Sequence, residues 1–376
     1  MNKESIRKLF NGIDSKIHLA ACSQSPMSFA SINALQNYIR DLNEFGNPWD
    51  IWINKVSEAR SLFARIIKAS PDEIAVLDSV SSCFNSLLSS MDFSIRNEVI
   101  TSDLEFPTTN FILNGKKKYG AVIRTIKSKD GQITPADYIS MVGKKTKLVT
   151  AVRVSSLNGS HQDVREICHI SHGNGSLCYV DDYQALGSLK MDVKKFDIDF
   201  LASGTLKWLL GVPGVAFLYA KRELIETLYP ANSGWLSQTN PFLFGSVELG
   251  FPKDARKFEN GTWSIPSLYA SIEGMKIILD HEEYIGNQNK ALFSHSLDYS
   301  RDIGLEVINP EKSANILAIK TKNPYEMESK LRMNEGIFTS ARGECLRIAP
   351  HFYNTKNEIE IALDKISSLE SGESRS

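Results

Sequence analysis

Two segments of this chain carry residues whose types and order could do chemistry. The first is Tyr179-Val180-Asp181-Asp182-Tyr183-Gln184-Ala185-Leu186-Gly187, and the second runs from Phe200 through Ser203-Gly204-Thr205-Leu206-Lys207-Trp208-Leu209-Leu210 to Gly211. Asp181 ends an apolar run from Leu177 to Val180, which predicts a buried strand entering a turn. Lys207 follows a second apolar run, Phe200 to Ala202, and then meets Trp208-Leu209-Leu210. A lysine in such company either snorkels to water or has a task, because lysine is almost never buried without a partner. An amine that condenses with a carbonyl and a carboxylate that keeps a ring nitrogen protonated together suit covalent chemistry on amino compounds.

These residues need elements to position them. Apolar runs at 73–77, 98–101, 121–126, 147–154, 177–181, 196–203 and 214–220 predict strands, and helical patterns at 81–91, 109–118, 135–142 and 163–173 lie between them. Such alternation predicts an α/β fold with a mainly parallel sheet. Ligands of such sheets bind at the carboxyl ends of the strands, where Asp181 and the stretch leading to Lys207 both fall. The pattern changes near 252–264. A helix from 265 to about 281, a second over 284–302, strands at 316–319 and 345–348, and a helix over 357–369 then predict a smaller unit. The expected division is an N-terminal segment 1–15, a large unit 16–255, a small α+β unit 256–370 and a polar, disordered tail 371–376.

The ordered set of an apolar strand, Val180-Asp181…Gln184-Ala185…Gly187, a second strand and Lys207-Trp208-Leu209…Gly211 resembles the core of the class V, fold type I pyridoxal phosphate (PLP) enzymes. That family includes aminotransferases, cysteine desulfurases, kynureninase and isopenicillin N epimerase. The resemblance runs from about Leu19 to the Phe352-Tyr353-Asn354-Thr355 stretch. It implies a large domain with a seven-stranded-type sheet, a smaller C-terminal domain, PLP as cofactor, Lys207 as its Schiff-base lysine and Asp181 as the partner of its ring nitrogen.

Other parts of the implied site follow from the same resemblance. Val80-Ser81-Ser82-Cys83 reads as a helix N-terminus, so Ser81 and Ser82 are phosphate candidates, with a plain helix cap as the alternative. Thr205 is a further phosphate candidate. Phe106, in Glu105-Phe106-Pro107, is placed to stack on the cofactor ring. Asn158 and Gln184 are candidates for its phenolic oxygen, although Asn158-Gly159 also reads as a plain turn. Phe258-Glu259-Asn260-Gly261-Thr262 resembles a segment whose threonine reaches the phosphate of a neighbouring subunit, which implies a homodimer with shared sites. Ser233-Gly234-Trp235 resembles a second such stretch. Arg347, in Leu346-Arg347-Ile348, is the expected binder of a substrate α-carboxylate, with Arg342 a lesser candidate. Specificity is expected from loops at 22–24, 235–244 and 339–342.

Composition narrows the partners. The chain has 376 residues, with 43 Lys plus Arg against 44 Asp plus Glu, so no global basic field favours nucleic acid or anionic membrane. No apolar run approaches a membrane span, and residues 1–10 show no signal-peptide core. Five cysteines are scattered without a C-x-x-C pair, which predicts a reducing, cytoplasmic setting and no structural zinc, and His161, His169 and His172 offer no metal-ligand spacing. The expected function is a PLP-dependent aminotransferase acting at Cα of an amino acid. A kynureninase-like or C–S lyase, an epimerase and a non-catalytic binding protein stay open as alternatives. Two features set the chain apart from cysteine desulfurases: Leu206 stands where histidine is usual before the lysine, and Cys345, two residues before Arg347, reads as a buried strand residue rather than a loop nucleophile.

Overall fold

The computed structural model describes residues 6–243 and 250–371. The first five residues, the 372–376 end of the expected tail and Phe244 of one expected specificity loop lie outside the described residues.

The chain opens with β1 (Ile17–His18), α1 (Phe29–Phe45) and α2 (Trp49–Ile67). Strands and helices then alternate: β2 (Ile74–Leu77), α3 (Val80–Ser89), β3 (Glu98–Ser102), α4 (Pro107–Lys116), β4 (Val122–Ile126), α5 (Pro135–Ile139), β5 (Thr146–Val152), α6 (Val164–Gly173), β6 (Leu177–Asp181), β7 (Phe200–Gly204), β8 (Ala216–Ala220) and α7 (Arg222–Ile225). The long α8 (Ile265–Asp302) leads to β9 (Leu317–Lys320), α9 (Pro324–Lys330), β10 (Ile337–Phe338), β11 (Ser340–Arg342), β12 (Cys345–Ile348) and α10 (Lys356–Ser371).

Seven strands form the main sheet in the order β2-β8-β7-β6-β5-β3-β4. Its pairs are parallel except those of β8, which runs antiparallel to both β2 and β7. Side chains alternate across a strand, so each strand feeds two cores. Ile74, Val76, Val180, Leu201, Phe217 and Tyr219 pack on one face with α2, α6 and α8. Ala75, Leu77, Tyr179, Phe200, Ala202 and Leu218 pack on the other with α3 and Leu113 of α4. This is the expected α/β fold, covered by helices on both faces.

A three-stranded antiparallel sheet, β11-β12-β9, builds the smaller unit around Leu317, Ile319, Leu346 and Ile348, with α10 against it. The two units exchange chain at their margins. β1 pairs in parallel with β10, and Ala20 bridges to Ala349. The first half of α8 packs on α1 and α2 through Leu268, Ile272 and Met275, whereas Leu292 in its second half joins the small core. The two helices expected at 265–281 and 284–302 form one run, kinked where His281 leaves helical geometry at φ −131° and ψ 17°. α1 and α2 carried no expectation. α1 buries only Ser31 and Ala34 fully, with Ile32, Leu35, Tyr38 and Leu42 half-buried, and exposes Phe29, Ile39 and Phe45.

The junction of α2 with the sheet centres on Phe63 and Phe217, both fully buried, with rings stacked 4.3 Å apart at 16°. Phe217→Ala leaves a cavity no neighbour fills and is expected to cost about 3–5 kcal/mol, read as a lowered urea midpoint. An unchanged midpoint would contradict this packing.

Candidate active site

β6 and β7 are parallel neighbours, with Asp181 paired in register to Ala202, so their carboxyl ends lie side by side. Asp181 is 5 % exposed and its Oδ1 accepts the Tyr183 N–H at 3.0 Å. β7 continues through Gly204 into a turn that carries Lys207. The Ser25 hydroxyl donates to the Lys207 carbonyl at 2.7 Å, and the Ser25 N–H donates to the Leu206 carbonyl at 3.1 Å. The Lys207 amine lies 4.1 Å from the centroid of the Tyr183 ring and 5.9 Å from that of Phe106. The Tyr183 ring fits only because Gly204 has no side chain, since a Cβ there would meet it at 2.3 Å.

Burial acts on both members of the pair. It lowers the Lys207 pKa to about 8 against the pull of Asp181, and it raises that of Asp181 against the Tyr183 N–H and Lys207. Desolvation therefore outweighs the mutual attraction at each group. Glu105 is also buried. Burial, with the Asp181 charge, pushes its pKa to about 8.

Asp181, Gln184, Lys207 and Phe106 line one cavity of about 270 Å³. Asp78, Ser79, Val80 and Ser81, at the N-terminus of α3, close it at another side. Ser79 caps α3 by accepting the Ser82 N–H at 3.1 Å. The earlier N–H groups of a helix have no intrahelical partner and suit an anion. Ser82 is not in this wall. It lines an adjoining cleft of about 330 Å³ with Asn260, Gly261 and Thr262, and Asp78 borders both spaces. Glu259 fixes that segment through Arg60, the Val76 N–H and Trp263.

The remaining predicted residues divide. Gln184 donates to the Cys22 carbonyl at 2.9 Å and accepts from the Trp208 indole at 3.0 Å. The Thr205 hydroxyl donates to the Val212 carbonyl at 3.1 Å and lies 2.9 Å from the Ser271 hydroxyl, within the fold rather than on the cavity wall. Asn158 likewise turns away. Its amide donates to the Gly131 carbonyl at 2.8 Å and accepts the Ser160 N–H at 3.1 Å, and Gly159 follows with φ +70°. The Asn-Gly turn is what this pair builds, and Ser156, two residues earlier, lines the cavity instead.

Arg347 lies on β12 and is 1 % exposed. It donates to the Ser156 carbonyl at 2.7 Å, the Ser340 hydroxyl at 2.6 Å and the Ser340 carbonyl at 3.3 Å. Among the described residues no carboxylate forms an ion pair with it. Its charge nevertheless reaches Lys207, whose pKa it lowers further, as does exposed Arg342. Trp235 packs edge-on against Trp49 and Phe242 at 5.6 Å and 5.3 Å. Sequence reasoning missed Tyr183, Ser79 and Ser156. Tyr183 lies in the turn after β6, where strand alternation no longer says which way a side chain points.

The aminotransferase class-V family profile matches residues 30–363. A protein named uncharacterized aminotransferase YcbU, from Bacillus subtilis, is 33 % identical over 97 % of this chain and 97 % of its own length. A probable cysteine desulfurase of Methanothermobacter thermautotrophicus is 25 % identical, with 96 % of each chain covered. In structure, the apo cysteine desulfurase of Thermococcus onnurineus NA1 superposes with a TM-score of 0.88 at 21 % identity, over 98 % of each chain. The family profile spans most of the chain and the Bacillus relative matches nearly all of it: this chain is a member of the class V aminotransferase family.

Proposed function

We propose that the protein is a PLP-dependent aminotransferase that takes an α-amino acid as donor, with Lys207 as the residue that carries the cofactor. The observation that carries this reading is the burial of Lys207 beside Asp181 in one cavity at the sheet's carboxyl edge. The residues fit PLP. Lys207 would hold it covalently, Asp181 would face its ring nitrogen, Phe106 would lie on the ring, and the N–H groups at Val80 and Ser81 would receive its phosphate. Bound PLP withdraws electrons from the substrate Cα and makes its proton acidic.

The chain's own residues do the rest. Arg347 offers two N–H edges to an α-carboxylate, and such a ligand would neutralise a buried cation that now meets only neutral acceptors. Lys207, with a pKa of about 8, suits a base that takes a proton at Cα near neutral pH and returns it. Apolar Leu206, Val152 and Phe84 in the cavity wall limit water around that proton. Thr262 and Ser82 share an exposed cleft next to the phosphate cradle, which supports a homodimer in which Thr262 of one chain approaches the other's site. The five cysteines are free, in keeping with a cytoplasmic setting. No helix among the described residues is long and apolar enough to cross a membrane.

Elimination and epimerisation use the same groups, and relatives bear desulfurase names. The desulfurase version needs a reactive thiol. Cys345 is buried on β12, and burial raises its pKa, which disfavours the thiolate.

A panel of amino acids added to cofactor-loaded protein without a keto-acid acceptor separates these readings. One keto acid per site, with pyridoxamine phosphate formed, is expected. Substrate consumed over many turnovers, with PLP unchanged, would contradict transamination and select a lyase or epimerase.

The lysine also marks stability. Its folded pKa of about 8 lies below the ordinary 10.5, so between those values the unfolded chain binds more protons and wild-type stability gains with rising pH. Cofactor-free Lys207→Met is therefore expected to be more stable than wild type at pH 7, the gap closing from pH 8 to 10.5. A gap that stays constant across this range in paired urea titrations would contradict the burial of the amine.

A further inference from the structure

We infer that Asn315, remote from the cavity wall, is a positioning residue that sets the lysine turn against the strand pair bearing Arg347. The inference rests on the roles proposed above for Lys207 and Arg347.

Asn315 is 4 % exposed and uses both ends of its amide. Nδ2 donates to the Gln184 carbonyl at 2.8 Å, and Oδ1 accepts from the Ser188 hydroxyl at 2.8 Å. Ser188 in turn accepts from Nδ2 of Asn289 on α8 at 2.9 Å. The loop that follows Asp181 is thus gripped at two points four residues apart. The grip passes on to the lysine turn, because the Gln184 side chain accepts the Trp208 indole N–H, and Trp208 is the next residue after Lys207. His351 grips the same turn. Its Nε2 lies 3.2 Å from the Trp208 carbonyl, while its Nδ1 lies 2.9 Å from the Phe352 nitrogen and 3.2 Å from Asn289 Oδ1.

At its other side Asn315 is rigidly tied to the substrate strand. It leads directly into β9, whose Ala318 is the register partner of Arg347. The neighbouring backbone is fixed as well, since Ala314 N–H donates to Gly159 and Asn309 donates to the Ile316 carbonyl. Asn315 holds φ +65°, a left-handed conformation that asparagine tolerates better than most residues. A leucine or alanine of similar burial would meet neither requirement. Buried amides satisfied at both ends specify one arrangement, because any slip strands a donor or an acceptor.

The readout is the pH midpoint for loading of cofactor-free protein with pyridoxal phosphate, followed by absorbance. Loading needs the neutral Lys207 amine, which is faced by Asp181 of β6, Cys22, Arg347 of β12 and Arg342 of β11, and the wild-type midpoint is expected near 8. Asn315→Gly tolerates the left-handed backbone and removes the carboxamide with its Cβ. It is expected to load to the same stoichiometry with the midpoint raised by at least about 0.4 of a pH unit, as Lys207 moves toward solvent and away from Arg347. Ser188→Ala, which breaks half of the grip, should shift it in the same direction, and the double variant should shift no further than the larger single one. If Asn315→Gly fails to fold, Ser188→Ala decides. Wild-type protein that loads normally beside variants with unmoved midpoints, even if less stable, overturns this inference alone. Wild-type protein that takes up no cofactor overturns the functional reading and this inference with it.

Discussion

The structure depends on placing a lysine and an aspartate in one largely buried cavity, each within reach of the other's charge. Two charges taken out of water lose more in hydration than they regain from each other unless the site is built around them. Here the building is visible. Parallel pairing brings the ends of β6 and β7 together, Gly204 leaves room for the Tyr183 ring beneath the amine, and Ser25 and His351 fix the carbonyls of the lysine turn. The result is a lysine with a pKa of about 8, neutral often enough to act as a nucleophile and a base.

A second buried charge sits unmatched. Arg347 is enclosed by the Ser156 carbonyl and both oxygens of Ser340, without an acid among the described residues. Neutral acceptors hold the guanidinium in place, but only an anion compensates its charge. That unmatched charge is what supports the proposed docking of a substrate carboxylate at Arg347. The N-terminus of α3 adds a third positive pole through its early N–H groups, in the wall of the same cavity as Lys207. In the proposed reading the cavity would take a phosphate and a ring, and Arg347, which donates to the Ser156 carbonyl behind the cavity wall, would take a carboxylate beside them.

Much of this was legible in the sequence. Leu177–Asp181 emerged at its observed bounds because an apolar run with a charged end has one reading in an α/β chain. Phe106, Gln184 and Lys207 line one cavity, because motif order fixes which strand ends they follow. The candidates that do not line this cavity share a cause, which is direction rather than position. Ser81 and Ser82 are neighbours, but one step along a helix turns the side chain by about 100°, and only Ser81 faces the cavity. Asn158 was read for its polarity, whereas the glycine after it commits it to a turn. Thr205 is polar and close to the lysine, but the tight turn at Gly211 consumes its hydroxyl. Asn315 and Ser188 lie far apart in sequence, and nothing local shows that they meet.

The central claim is that Lys207 carries the cofactor, and reductive trapping tests it most directly. Protein loaded with pyridoxal phosphate would be treated with borohydride, digested and mapped by mass spectrometry. The account predicts one phosphopyridoxyl group per chain on the peptide containing Lys207, and none after Lys207→Ala. A label on a different lysine, or a Lys207→Ala protein that traps as much as wild type, would contradict it.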